Sequence, residues 1–233
     1  MASDKQLNYF KFVVLFLLFL LLAFDQDLAM IYLLIMFGDF IWFRSDNFIS
    51  FPISRGKASN FKVYLESIIG LGVFLTLSTL LVSFFSPQSL TNSGIISGAQ
   101  SIFHLLATST PILKGSKILT LLGWGVLVPI IETSFFNGRL LEGFATYSEK
   151  ITGRRVSVQK LSTQLFIVVL VVASFFTIFH ITAKGIQSIP LLITFMFSVI
   201  SSILVIRHQE LKGAIFMHIV TNSAAVMSGL GWI

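Results

Sequence analysis

The chain has 233 residues, 55% of them hydrophobic and only 11% charged, with 25 phenylalanines and no cysteine. A soluble domain carries about twice that share of charge and cannot hide so much apolar surface from water, which leaves a bilayer as the solvent. The missing cysteine excludes disulfides, thiolate metal sites and a cysteine nucleophile, and the net charge of +6 reads as basic loops beside a membrane, with no nucleic-acid partner.

A helix that crosses a bilayer needs about 20 apolar residues. In chain order the candidate spans are 9–24, 28–43, 62–85, 118–138, 161–182, 189–206 and 213–232. The expected fold is an all-α polytopic transmembrane helical bundle of about seven spanning helices, or eight if 95–113 crosses. It is read as one membrane domain, 1–233, with N-terminal helices in 9–113 and the helices of 117–233 carrying a site. Lys5 and Lys11 precede the apolar run Phe12–Phe24 as in a signal peptide. No small-x-small cleavage site follows and a second run starts at Leu28, so the first helix reads as retained, in a hairpin closed by Asp25-Gln26-Asp27. The stretch 95–113 is broken by Gly98, Thr108, Thr110 and Pro111 and reads as interfacial or re-entrant, with His104 structural. Residues 139–160 read as a helical continuation followed by a loop centred on Gly153.

Basic residues set orientation. They gather in three places: Arg44, Arg55, Lys57 and Lys62; Arg139, Lys150, Arg154, Arg155 and Lys160; and Arg207 with Lys212. With seven spans these fall on one side, together with the N-terminus, which is then cytoplasmic. The chain reads as an integral, multi-pass membrane protein with the lipid bilayer as one partner.

Ionisable groups inside membrane helices are costly, so each is a functional candidate. Glu132 sits three residues after Pro129, which removes a backbone hydrogen bond and frees a carbonyl. His180 ends Phe176-Thr177-Ile178-Phe179-His180. His218 and Asn222 are four apart, one turn along a single helical face. A carboxylate partly withdrawn from water gains the basicity to take a proton from water, and histidine and an amide are donors for the resulting oxyanion. Two histidines and a glutamate also match a catalytic zinc shell, although no His-Glu-x-x-His signature is present. A transporter fits poorly, since the charges gather in loops.

The order of these motifs resembles the CPBP family of membrane CAAX-type endopeptidases and bacteriocin-processing or immunity proteins. That family's pattern is Glu-Glu-x-x-x-Arg, then Phe-x-x-x-His, then His-x-x-x-Asn. Here the motifs are Glu132-Thr133-Ser134-Phe135-Phe136-Asn137, Phe176 to His180, and His218 to Asn222. The resemblance implies an intramembrane, cofactor-free peptidase acting on a peptide or protein substrate at the membrane. Glu132 would activate water with help from His180, while His218 and Asn222 stabilise the oxyanion. Thr133, Phe136, Asn137 and Phe176 would support the motifs.

Two positions depart from the pattern: Thr133 stands for the second Glu and Asn137 for the Arg. Losing both removes an acid and a base together, whereas losing one would strand a buried charge. Arg139 lies about 200° round a regular helix from Asn137 and substitutes poorly. The departures keep a non-catalytic binding or immunity-type protein of the same fold as the alternative. With straight helices and these bounds, His180 and His218 fall at opposite sides of the bilayer.

Overall fold

The computed structural model describes residues 59–85, 102–103, 116–152, 162–184 and 188–232. The hairpin expected in 9–43, the basic residues Arg44, Arg55 and Lys57, His104, nearly all of 95–113, and the 153–160 loop lie outside them. All regular structure among the described residues is helical. Four helices are long and apolar enough to cross a membrane, and they begin at Asn60, Lys117, Thr163 and Ile189.

Helix α1 is Asn60–Phe85. Its buried residues Val63, Ser67, Phe74, Ser78 and Val82 form one narrow stripe at helical spacing. Much of the rest of its surface is exposed and apolar, from Phe61 through Ile68 and Leu80 to Phe85, as lipid contact requires. The Ser67 hydroxyl donates back to the Val63 carbonyl at 2.7 Å, so this buried polar atom is satisfied within the helix.

Helix α2 starts at Lys117, capped by Ser116, whose Oγ accepts the Leu119 N–H at 3.2 Å. It continues without a break to Thr152 but changes pitch twice. Leu121–Leu127 and Ser134–Leu140 are π-turns, and Val128–Thr133 between them is α-helical. Such wide turns are rare and occur often at functional sites. The second one wraps so far into the protein that Phe135, Phe136, Asn137, Gly138, Arg139 and Leu140 are all buried. Arg139, expected among the loop charges, is therefore an interior residue.

Helices α3 (Thr163–Lys184) and α4 (Ser188–His208) pack on each other and on α2. Helix α5, Lys212–Gly229, contacts α1, α2 and α4. The helix expected at 213–232 is thus present, yet it is not one of the four apolar spans. Lys212, His218, Thr221, Asn222 and Ser223 dilute its apolarity, and neighbouring helices shelter it from lipid.

The turn into α5 is tight. Gln209 adopts a left-handed backbone at φ 56°, and Glu210, Leu211 and Lys212 are buried. Lys212 Nζ lies 2.9 Å from Glu210 Oε1 and donates to Asn60 Oδ1 at 2.8 Å. Arg207 and His208 both meet Glu66 of α1, Arg207 Nη2 at 3.1 Å from Oε1 and His208 Nε2 at 3.0 Å from Oε2. Of the basic pair expected to mark this turn, Arg207 is exposed and Lys212 is enclosed by partners. Gly213 lets α1 and α5 touch, since a Cβ there would stand 2.7 Å from Ser67 Oγ and 3.0 Å from Val63 Cγ1. Gly213→Ala is accordingly expected to destabilise the protein by about 1–3 kcal/mol, read as a lower Tm in detergent. An unchanged Tm would mean that this contact relaxes freely.

Candidate active site

Glu132 closes the α-helical turn between the two π-turns of α2 and is only 4% exposed. Its Oε2 faces Nε2 of His218 at 3.5 Å. On the other side of that ring, Nδ1 is 2.9 Å from the Thr133 hydroxyl. A carboxylate opposite Nε2 calls for a proton there, which leaves Nδ1 to accept from Thr133. Glu132, His218 and Thr133 thus form one chain of contacts between neighbouring residues of α2 and the middle of α5.

Asn137, one turn beyond Thr133, donates from Nδ2 to Ser202 Oγ at 2.8 Å, and Ser201 Oγ donates to its Oδ1 at 3.5 Å. A neutral amide satisfied by hydroxyls thus occupies the motif position expected to hold a guanidinium. The two serines were missed by sequence reasoning. Their signal was available: Thr194, Ser198, Ser201 and Ser202 are polar residues at helical spacing on an otherwise apolar helix, and all four are buried. Glu66, an acid within a span, was passed over in the same way.

His180 donates from Nδ1 to the Phe176 carbonyl at 2.7 Å, since a carbonyl can only accept. That leaves Nε2 as the acceptor atom of the ring. The Phe176 ring lies between the histidines, 4.4 Å from His180 and 5.9 Å from His218 by ring centroids. Phe136 meets Phe176 edge-on at 5.0 Å and so backs the ring that lines the site.

The expected separation of His180 and His218 across the bilayer does not occur. Both line one cavity of about 30 Å³, with Phe74, Phe176, Ile193, Thr194, Phe197, Thr221 and Asn222. The sequence-based bounds assumed that α5 starts at the membrane surface. The turn before α5 is instead buried against α1, and the two histidines meet at one cavity. A cavity of this size exceeds the ~10–15 Å³ that one water needs. Glu132 is not among the residues on its wall and reaches it only past His218. Among the described residues, no three His, Asp or Glu side chains converge as a metal shell.

Residues 114–224 match the model of the family described as type II CAAX prenyl endopeptidase Rce1-like. That segment is similar to the Rce1-like family. It contains every candidate residue named above, from Glu132 to Asn222, and Rce1-like proteins are CPBP-family membrane endopeptidases. An Rce1-like protein acts on a peptide or protein substrate at the membrane. With four apolar helices among the described residues, the chain is an integral membrane protein. No curated protein and no solved structure matches the chain.

Proposed function

We propose that the chain is an intramembrane, glutamate-dependent endopeptidase, active despite its departures at Thr133 and Asn137. The observation that carries this reading is the 3.5 Å approach of Glu132 Oε2 to His218 Nε2 beside a cavity shared by His180, His218 and Asn222. The substrate class suggested by the family is a lipidated CAAX tail, presented from the bilayer.

In this mechanism the water sits in the cavity with one of its protons toward Nε2 of His180. The Glu132–His218 contact is longer than a good hydrogen bond and gives way easily. As the substrate carbonyl enters, the Nε2–H of His218 turns from Glu132 to that oxygen. The turning of His218 opens a path from Glu132 to the cavity, and Glu132, released, takes a proton from the water, whose oxygen attacks the carbonyl carbon. The oxyanion that forms is held by His218 Nε2–H and the Asn222 amide. The C–N bond then breaks, and the proton held by Glu132 goes to the leaving amine. Thr133 keeps His218 in the donating tautomer throughout. The end of the bundle at 207–212 faces the cytoplasm in this reading, with the N-terminus.

The test uses purified protein in lipid nanodiscs and two quenched fluorescent peptide pools, one prenylated at a CAAX cysteine and one unmodified, each with and without chelator. Cleavage that survives chelator and falls about 10²–10³-fold in His218→Ala is the expected result. Chelator-sensitive cleavage would replace this reading with a zinc peptidase. No cleavage of either pool above the buffer rate would replace it with a non-catalytic binding protein.

A further inference from the structure

Two side chains of α5 donate into the backbone of α2 in the turns before Glu132. Asn222 Nδ2 donates to the Trp124 carbonyl at 3.4 Å, and Ser223 Oγ donates to the Gly125 carbonyl at 3.1 Å. These are the two carbonyls that Pro129 affects. Proline has no N–H. Across an α-turn that N–H would have reached Gly125, and across a π-turn it would have reached Trp124. Gly125 completes the arrangement, because a Cβ there would lie 2.9 Å from Ser223 Oγ and 3.3 Å from Ser223 Cα. A proline, a glycine and two adjacent donors on another helix therefore meet at one point.

The consequence falls on Asn222. A carbonyl only accepts, so the amide atom that faces Trp124 is Nδ2. Turning the amide over would set Oδ1 against another carbonyl oxygen. Nδ2 has a second N–H, and Asn222 lines the cavity beside His218. We propose that Pro129 leaves the Trp124 carbonyl to Asn222 and so fixes that amide with a donor toward the cavity, while Ser223 secures the same contact through Gly125. Pro129 and Ser223 are thus positioning residues. This inference rests on Asn222 being an oxyanion donor, as proposed above.

Pro129→Ala tests it. The new N–H competes with Asn222 for the carbonyl, while alanine is the better helix former. The expected result is a kcat about tenfold or more lower, a KM little changed, and a Tm equal to or above that of the parent. Ser223→Ala should act in the same direction with a smaller loss, and it serves if Pro129→Ala does not fold. A second readout needs no substrate: the side-chain amide of Asn222, seen by ¹⁵N-asparagine labelling and assigned by its loss in Asn222→Ala. In the parent its two N–H signals should be well separated and slow to exchange, and in Pro129→Ala they should collapse toward those of a free amide. An amide signal unmoved by Pro129→Ala would overturn the inference whether or not the protein cleaves. A kcat that survives the collapse, or a kcat loss accompanied by a lower Tm, would also overturn it. If the parent cleaves nothing but the amide collapses as described, the clasp stands and the endopeptidase reading falls.

Discussion

Glu132→Gln is expected to leave a folded protein whose cleavage rate is about 10²–10⁴-fold lower, the usual contribution of a positioned general base. Glutamine keeps the size of the side chain in a site that is 4% exposed. Its amide oxygen can still accept from the Nε2–H of His218, so the chain of contacts from α2 to α5 survives. Only the ability to take up a proton is lost. Because the charge removed is buried, Tm should hold or rise. The measurement is kcat for parent and variant at matched folded fractions, with Tm as the control. A variant within threefold of the parent would remove Glu132 from the mechanism.

The second large effect concerns the two motif departures. Thr133 is fully buried and Asn137 nearly so, one turn apart on α2. Thr133→Glu alone places a carboxylate against the Nδ1 side of His218 with no arginine to meet it. An uncompensated buried charge costs about 3–5 kcal/mol, which lowers Tm by on the order of 10 °C in a domain this size. Thr133→Glu with Asn137→Arg supplies the partner and should recover most of that loss. The double variant has to displace Ser201 and Ser202 from Asn137, so recovery is expected to be incomplete. The comparison is of Tm and monodisperse yield for the parent, both single variants and the double. Equal losses in the single and the double variant would show that positions 133 and 137 do not act as a pair in this chain.

Much of the helical frame was legible because apolar runs of twenty residues have few other uses. The bounds expected for α1 and for α3 to α5 lie within three residues of those observed. The pairing of His218 with Asn222 was legible for a similar reason: two polar residues four apart in an apolar helix share a face. The π-turns were not legible. Gly123, Gly125 and Pro129 signal irregularity without saying which kind, and the wide turns depend on what α5 offers to the freed carbonyls. Depth was also hidden. Lys212 and Arg139 look like loop charges in the sequence, since a positive residue beside an apolar run normally marks the membrane surface. Here Glu210 and Asn60 enclose Lys212, and the π-turn carries Arg139 inward. For Lys212 a partner distant in sequence, Asn60, contributes to this, and for Arg139 the local pitch of α2 does.

The sheltered position of α5 bears on how the protein is assembled. A lysine, a histidine and an asparagine make transfer of this segment into hydrocarbon unfavourable when it is alone, since each polar or charged residue near the middle of a helix weighs against insertion. The three residues Gln209, Glu210 and Leu211 join it directly to α4, which is strongly apolar. The two are therefore expected to enter the bilayer as a hairpin, with α4 as the guide and α5 as the passenger. The segment that brings His218 and Asn222 to the site is one that the membrane accepts only in company.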